Sequence, residues 1–273
     1  MPFSKEMILG SSGNQGAAGF YDYQIENSCR FDSGDTSHLY HDRGTPTNND
    51  IVTISAWVKR GKIASEYNST HYKWAGFGVS GDYGMIGFNG GTTPKDTFEV
   101  YDYPSSNLNY KTSAVFRDPN AWTHFVVRLD TTQSTAGDRV RVYVNGTELT
   151  DFGTETNPSQ NGNLGFNTSG NRFYVGSAGD TSNAAYQPYD GYIAEFIFVD
   201  GTSYAPTQFG ESKNGVWKPI DPTGTSFGNN GFHLKFGNSS SLGADSSGNG
   251  NNLTASGLGT DHQVLDSPTF TAP

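Results

Sequence analysis

Residues 139–146 read Arg-Val-Arg-Val-Tyr-Val-Asn-Gly, and their alternation sets the fold class. Val140, Val142 and Val144 point to one side of an extended chain, while residues 139, 141 and 143 point to the other. A period of two residues is typical of a half-buried β-strand and not of a helix. Asn-Gly then supplies two residues that tolerate positive φ, the strongest short hairpin signal. The pattern predicts a hairpin whose second strand runs over residues 147–152.

Three further segments have the same half-buried strand pattern. They read Thr-Ile-Ser-Ala-Trp-Val-Lys at residues 53–59, Ala-Trp-Thr-His-Phe-Val-Val at 121–127 and Gly-Tyr-Ile-Ala-Glu-Phe-Ile-Phe at 191–198. From residue 28 onward, short strands alternate with turns rich in Gly, Asn, Asp, Ser and Thr. No long helical pattern interrupts them, although Pro and Gly in residues 205–210 predict one short helical turn. The sequence therefore predicts an all-β protein, an antiparallel β-sandwich.

The four segments, taken in order, resemble the laminin-G-like, concanavalin A-like jelly-roll family. That family has a Ser-Ile-Ser-Ala-Trp-Val strand, a Trp-x-His-Val-Val strand, a Val-x-Val-Tyr-Val-Asn-Gly hairpin and a late Gly-x-Ile-Asp/Ala-Glu strand. The resemblance covers residues 28–265, and four motifs in the right order are more specific than any one of them. It implies a concanavalin A-like jelly roll over residues 28–273 that acts as a binding or structural module, not as an enzyme.

A narrower resemblance is to virion structural proteins of tailed bacteriophages, especially marine ones. It rests on residues 114–119, 121–122, 129–133, 199–201, 209–211 and 215–217. It implies either a tail fibre or receptor-binding module that contacts host glycan, or a head protein that decorates the capsid. A secreted polysaccharide-active enzyme or carbohydrate-binding module of the same fold is the alternative.

Composition argues against several classes of partner. The net charge is −10 and the 17 basic residues are thinly spread, which argues against nucleic-acid binding. No stretch approaches the ~20 apolar residues of a membrane helix. The first ten residues lack the apolar run of a signal peptide, and Cys29 is the only cysteine, so no intrachain disulfide is possible. We therefore expect a chain without membrane insertion, made in the host cytoplasm and located in the virion.

Residues 1–27 differ from the remainder of the chain. Residues 11–19 are small and lack periodicity, which predicts a flexible arm. In a virion protein such an arm would anchor the chain to a capsid or tail partner through its apolar residues Phe3, Met7, Ile8 and Leu9. Closed rings of identical subunits are common, and we expect a homotrimer.

The C-terminal part contains a strand pattern, Phe-His-Leu-Lys-Phe at residues 232–236, followed by Asp-Ser-Ser-Gly-Asn-Gly-Asn at 245–251. In many laminin-G-like domains this combination opens the domain, whereas here it comes last. The resemblance therefore implies a circular permutation. We expect the 232–236 strand to pair beside the strand at residues 29–31 and to complete one domain.

The loop at residues 245–252 is a candidate calcium site. It combines one carboxylate, Asp245, with the amide oxygens of Asn249 and Asn251. Calcium takes six to eight oxygen ligands, many of them carbonyls. Related domains often carry a structural calcium in this neighbourhood, so the resemblance implies one here. The alternative is a tight glycine turn held by hydrogen bonds from its Asp and Asn side chains.

Residues 66–110 are the segment richest in aromatic side chains, mixed with Asp, Asn and Gly. Binding pockets combine apolar walls with a few placed polar groups, and sugars stack on aromatic rings. The alternative is that half of these rings alternate into the core. The candidate carbohydrate-binding residues are Asp82, Tyr83, Tyr101, Asp102 and Tyr103.

No catalytic residue is predicted. Glu195 lies in an apolar strand, where its carboxylate needs a charged or hydrogen-bonded partner. Glycosidases use two carboxylates that flank the scissile bond, but residues 193, 197 and 199 are Ile, Ile and Val. His38 and His41 lack a recognisable zinc-ligand spacing.

Overall fold

Two antiparallel sheets stacked face to face make up the computed structural model, which describes residues 19–63 and 72–269. From edge to edge, the first sheet contains β10 (Thr147–Glu148), β9 (Val140–Val144), β8 (Thr123–Asp130), β3 (Ile51–Arg60), β15 (Gly191–Asp200), β1 (Ser28–Phe31) and β20 (Gln263–Val264), while β18 (Phe232–Leu234) also pairs with β15. The second sheet contains β11 (Phe152–Thr156), β7 (Leu108–Val115), β6 (Thr97–Tyr103), β5 (Asp82–Phe88), β4 (Tyr72–Val79), β12 (Arg172–Val175), β2 (His38–Asp42) and β19 (Thr254–Ser256).

Two small hairpins and four single-turn 3-10 helices complete the described elements. The hairpins are β13 (Ala178–Gly179) with β14 (Ala185–Tyr186), and β16 (Gly210–Lys213) with β17 (Val216–Pro219). The helices are Ala136–Asp138, Gly165–Asn167, Pro206–Gln208 and Thr260–His262, so the turn predicted at 205–210 is confirmed. Within the described ranges, no helix has the length and apolar character of a membrane span. The prediction of an all-β antiparallel sandwich is confirmed.

The hairpin predicted from residues 139–146 is present. Val140 and Val142 are buried between the sheets, as the alternation predicts. Asn145 and Gly146 have φ values of 47° and 77°, which matches the positive φ that an Asn-Gly turn requires. The turn therefore joins β9 to β10 as expected.

The predicted length of the second hairpin strand is wrong. β10 ends at Glu148, and Phe152 already begins β11, which pairs with β7 in the second sheet. Between them the chain crosses from one sheet to the other, and Leu149 packs against the core on the way. A crossing chain cannot keep alternating about one sheet, so the hairpin stops after two residues.

The core between the sheets is built mainly from aromatic rings. Phe98 and Phe125 come from opposite sheets and stack with ring centroids 4.5 Å apart, and Trp74 lies 6.2 Å from Phe98. Each such ring pair stabilises the fold by about 0.5–1.5 kcal/mol beyond the contribution of the apolar area that it buries. Six aromatic residues of the 66–110 segment belong to the core, which is how a chain of only 33% hydrophobic residues fills the space between its sheets: Tyr72, Trp74, Phe77, Phe88, Phe98 and Tyr110.

The C-terminal strand β18 is part of the first sheet. It pairs with Phe196–Phe198 of β15, while β1 pairs with residues 191–193 of the same strand. Because β3 occupies the other edge of β15, β1 and β18 lie end to end along one edge. The predicted pairing of this strand with residues 29–31 is therefore wrong: β18 covers only residues 232–234, pairs with β15 and lies in line with β1, because both strands use the same edge of β15.

The outer face of the first sheet is covered. Phe209, from the segment that follows β15, packs on Val126, Ile197 and Val199. Ile25 packs against Trp57 and Ala194 on the same face. Residues 20–27 of the predicted arm therefore contact the sandwich, whereas residues 1–18, including Phe3, Met7, Ile8 and Leu9, lie outside the described residues.

Candidate functional site

An open groove lies on the outer face of the second sheet. The β13–β14 hairpin lies flat over β4 because Gly76 and Gly78 present no side chain to it. A Cβ at Gly76 would lie 2.7 Å from the Ala178 Cα, and one at Gly78 would lie 2.5 Å from the Asp180 carbonyl oxygen. The first strand of the hairpin also lies close to β5, and the groove is the space between the hairpin segment and the outer face of β5 and β6.

The groove has a volume of about 440 Å³, within the usual range for small-ligand sites. Its lining comes from β5, β6 and the hairpin segment. The lining residues are Tyr83, Met85, Glu99, Tyr101, Asp180, Thr181, Tyr186 and Gln187.

Three tyrosines form a row along this face. The ring centroids of Tyr83 and Tyr101 lie 5.4 Å apart, and those of Tyr101 and Tyr103 lie 6.2 Å apart. The antiparallel register, which places Tyr83 opposite Tyr103, brings them together. Burial raises the pKa of Tyr101, and the neighbouring Tyr83 hydroxyl adds to this, so Tyr101 stays a neutral hydrogen-bond donor. The row offers ring faces with hydroxyl groups at their rims.

A buried ion pair forms the floor of the groove. The Lys73 Nζ lies 2.6 Å from Glu99 Oε2, and Lys111 Nζ lies 3.8 Å from Glu99 Oε1. Burial lowers the pKa of Lys73, and the charge of Glu99 opposes that shift. Removing one partner from such a pair leaves an uncompensated buried charge, which is strongly destabilising. The pair therefore holds the floor in one arrangement.

Gln187 places an unsatisfied acceptor in the wall of the groove. Its side chain is 8% exposed, and its Oε1 has no hydrogen-bond partner within the described part of the chain. A buried polar atom without a partner costs about 1–3 kcal/mol. A donor group on a bound ligand, such as a sugar hydroxyl, would remove that cost.

The groove carboxylate of Asp180 is held by its own turn. Its Oδ1 accepts hydrogen bonds from the Ser182 backbone and hydroxyl and from the Ala184 backbone. Burial alone raises the pKa of Asp180, but these hydrogen bonds outweigh it and keep the pKa below its usual value. Asp180 is thus an ionised acceptor at neutral pH.

Neither of the two predicted aspartates lines the groove. Asp82 lies beside Tyr83 and accepts a hydrogen bond from the Ser105 hydroxyl. Asp102 points to the opposite face of β6, is fully buried, and accepts the Gly165 backbone N–H at 2.8 Å. Burial, with a second contribution from the charge of Asp82, raises the pKa of Asp102 to about 7. Asp102 cannot touch a ligand in the groove.

Of the predicted carbohydrate-binding residues, the structure therefore brings the three tyrosines together. Sequence reasoning missed Glu99, Asp180 and Gln187. The alternation of β6 puts Glu99 on the same face as Tyr101 and would have found it. Asp180 and Gln187 belong to a hairpin segment about 80 residues further along the chain, and Gly76 and Gly78 are a local sign that this segment packs on β4.

The loop at residues 245–251 is closed by its own hydrogen bonds. The Asp245 carboxylate accepts four, from the His233 backbone, the Ser247 backbone and hydroxyl, and the Asn251 backbone. The amide groups of Asn249 and Asn251 donate to backbone carbonyls of residues 228–231. Within the described residues no group of three or more His, Cys, Asp or Glu side chains is placed to hold a metal. Calcium at Asp245, Asn249 and Asn251 would have to replace some of these bonds.

A Ser–His contact on the first sheet is not arranged as a nucleophile with its base. The Ser55 hydroxyl lies 2.8 Å from His124 Nε2, and the Trp217 indole N–H donates to His124 Nδ1 at 2.9 Å. Burial lowers the pKa of His124 to about 3, so the ring is neutral. Because Nδ1 accepts from Trp217, Nε2 carries the proton and donates to Ser55. This tautomer cannot take a proton from the hydroxyl.

Glu195 has the partners that its position requires. His233 Nε2 lies 2.6 Å from Glu195 Oε2, and the Tyr23 hydroxyl donates to Oε1 at 3.0 Å. Glu195 has a φ of 46° at the irregularity in β15, between the segments that pair with β1 and β18. The carboxylate thus ties the N-terminal segment and β18 to the centre of the first sheet.

A family model described as the concanavalin A-like lectin/glucanases superfamily matches residues 32–205. No curated protein sequence matches the chain. Among solved structures, a native heptameric SAP-like pentraxin from Limulus polyphemus is similar with a TM-score of 0.47 and 13% identity, over 68% of this chain and 81% of the pentraxin.

Two further structures are similar at lower scores. Domain 4 of AbnA, a GH43 extracellular arabinanase from Geobacillus stearothermophilus in complex with arabinotriose, gives a TM-score of 0.37 and 17% identity, over 59% of this chain and 66% of that one. The LG1–3 region of the laminin alpha2 chain gives a TM-score of 0.32 and 11% identity, over 67% of this chain and 33% of the laminin chain.

Proposed function

The chain belongs to the concanavalin A-like lectin/glucanases superfamily, and we propose that it is a non-enzymatic carbohydrate-binding protein. The proposed site is the groove on the second sheet. The observation that carries the proposal is the row of Tyr83, Tyr101 and Tyr103 beside Gln187 Oε1, which has no hydrogen-bond partner among the described residues. Ring faces take the apolar side of a sugar, and the buried acceptor takes a hydroxyl.

The chemistry of the groove supports binding without catalysis. Glycoside hydrolysis needs a carboxylic acid with a raised pKa that can protonate the leaving group. Glu99 is in an ion pair with Lys73, and hydrogen bonds keep the pKa of Asp180 low. Neither carboxylate is arranged to be that acid.

We expect Tyr101→Ala to weaken glycan binding by about tenfold, which corresponds to about 1.4 kcal/mol. The ring is the middle member of the tyrosine row, so its loss removes the stacking surface on both sides. The measurement is calorimetric titration with the best ligand from an array of bacterial surface glycans. Tyr192→Ala, on the outer face of the first sheet, is the matched control and should bind as the parent chain does. Folded protein that binds nothing on the array would contradict the proposal.

We further propose that this binding serves a bacteriophage virion, as part of a tail fibre or receptor-binding module that contacts host glycan. The support is the resemblance of residues 114–119, 121–122, 129–133, 199–201, 209–211 and 215–217 to virion proteins. In this proposal the arm predicted over residues 1–27 anchors the chain to a neighbouring virion protein. Homotrimeric assembly remains a prediction, and the molar mass in solution, measured by light scattering, would test it.

Immunogold electron microscopy of virions that encode the chain tests this placement. Gold on tail or fibre tips is the expected result. Gold spread over the head would indicate that the chain decorates the capsid and does not attach the virion to its host. Unlabelled purified particles, alongside labelled recombinant protein as the positive control, would contradict the virion proposal while leaving glycan binding untouched.

Calcium at the 245–251 loop remains a prediction. Millimolar calcium should raise the melting temperature, and Asp245→Ala should abolish that rise. Magnesium at the same concentration is the control, because it demands a tighter octahedral geometry. The same melting temperature in calcium and in EDTA would mean that the hydrogen bonds of Asp245 already complete the loop.

A further inference from the structure

A second cavity lies inside the sandwich, at the end where β3 finishes and β8 begins. It has a volume of about 190 Å³ and shares no lining residue with the groove. The chain between β7 and β8, residues 116–122, passes over it from one sheet to the other. The cavity is thus a cleft between the two sheets with its mouth at this crossing segment.

Aromatic rings form the walls of the cleft. Phe116 lies 5.4 Å from Phe125 and 6.1 Å from Phe88, and Phe88 lies 5.9 Å from Phe125, between ring centroids. Val58 lines it as well. The aromatic part of this lining is a poor site for water, because a buried water needs two to four polar partners. The walls therefore favour an apolar occupant.

One buried cation interrupts the apolar lining. Arg60 is 4% exposed, and its guanidinium lies over the Phe88 ring, 4.3 Å from the centroid. Nη2 donates to Asp96 Oδ1 at 2.9 Å, and Nη1 donates to the Phe116 carbonyl. The Nε–H has no hydrogen-bond partner in residues 19–63 and 72–269. A charged donor left unsatisfied in a buried site costs free energy that an acceptor would recover.

A second guanidinium lies at the mouth. Arg117 Nε lies 3.2 Å from Asp96 Oδ2, so the Asp96 carboxylate is shared between two arginines. Asp118 also lines the mouth, but it is exposed and its Oδ1 accepts the Asn120 backbone N–H. The buried Asp96 carboxylate therefore balances the charge of Arg60, and the positive charge at the mouth of the cleft is that of Arg117, whose side chain is 48% exposed.

We propose that this cleft binds a small carboxylic acid with an apolar body. The body would lie among Phe88, Phe116 and Phe125, and the carboxylate would accept from Arg60 Nε and face Arg117. The cleft holds about six waters by volume, which is less than the usual small-ligand pocket. A medium-chain fatty acid or an arylacetic acid matches that size, whereas a phospholipid or an oligosaccharide does not. The proposal is independent of glycan binding in the groove.

The test is calorimetric titration of the full chain with octanoate and phenylacetate, beside the uncharged octanamide and phenylacetamide. We expect saturable binding of at least one acid, and at least about tenfold weaker binding of its amide, because the charge-assisted bond to Arg60 is lost. No saturable binding of either acid up to 10 mM, or equal affinity of acid and amide, would overturn the proposal.

Variants locate the site. Ala121→Phe places a ring in the cleft and should abolish acid binding, while Ala136→Phe adds the same ring at an exposed turn and should not. Arg117→Gln, at the half-exposed mouth, should weaken binding of the acid by several fold and leave binding of the amide unchanged. This second variant still tests the proposal if Ala121→Phe does not fold. Acid binding that survives in both Ala121→Phe and Arg117→Gln would place the ligand elsewhere and overturn the assignment.

Discussion

Asp102→Asn is expected to stabilise the folded chain at pH 8 and to leave its stability almost unchanged at pH 4. The parent carboxyl is fully buried on the core side of β6, and burial raises its pKa to about 7. The carboxamide keeps an oxygen that can accept the Gly165 N–H, which the carboxylate accepts at 2.8 Å. It removes the charge that burial penalises.

Proton linkage gives the direction in which the stability of the parent chain changes with pH. The unfolded carboxyl titrates near 3.8, whereas the folded one titrates near 7, so between these values the folded chain binds more protons. The stability of the parent chain therefore falls as the pH rises from about 4 to about 7, and the loss is complete above pH 7. At 1.36 kcal/mol for each pH unit, the gain from Asp102→Asn at pH 8 is up to about 4 kcal/mol.

Urea unfolding of both chains at pH 4, 6 and 8 measures this difference. The exposed Asp35→Asn is the matched control and should change the unfolding free energy by less than about 0.5 kcal/mol at each pH. If Asp102→Asn shifted stability by the same amount at pH 4 and pH 8, the buried carboxyl would not be the group that titrates.

Most of the fold could be predicted from the local alternation of apolar and polar residues along the strands. Val140 and Val142 lie in the core and Asn145-Gly146 forms the turn, because these features depend on nearest neighbours and on φ preferences. The extent of β10 depends instead on where the chain changes sheets at Leu149, which alternation does not encode. The place of β18 is likewise set by a long-range choice, pairing with β15 about 35 residues earlier.

In the candidate site, too, some residues could be predicted from local sequence patterns and others could not. Tyr83, Tyr101 and Tyr103 come from two neighbouring strands, so a local pattern of alternating aromatics could find them. Asp102 shares that stretch of sequence, but a strand sends alternate side chains to opposite faces, and it lies in the core. Gln187 is brought to the groove by the β13–β14 hairpin, and no local pattern near residue 101 predicts that packing.

Phe232→Ala is expected to destabilise the chain by about 3–5 kcal/mol, the usual cost of removing a fully buried ring. Phe232 stacks on both Phe196 and Phe198 with ring centroids 5.7 Å away, and its ring lies 6.0 Å from Phe173 of the second sheet. A late strand therefore supplies a central ring to the contact between the sheets. Urea unfolding measures the loss, and Leu265→Ala is the control because that side chain is 64% exposed.

The same contacts decide whether the C-terminal part belongs to one folding unit. Truncation after residue 225 removes β18 with Phe232 and Leu234, together with His233, the buried partner of Glu195. Without them the edge of β15 beyond β1 loses its backbone partner and the core opens to water. We expect the truncated chain to show no cooperative unfolding transition by near-ultraviolet circular dichroism. A cooperative transition in that chain, with a parent-like spectrum, would show that residues 226–273 form a separate unit and would contradict the permuted single domain.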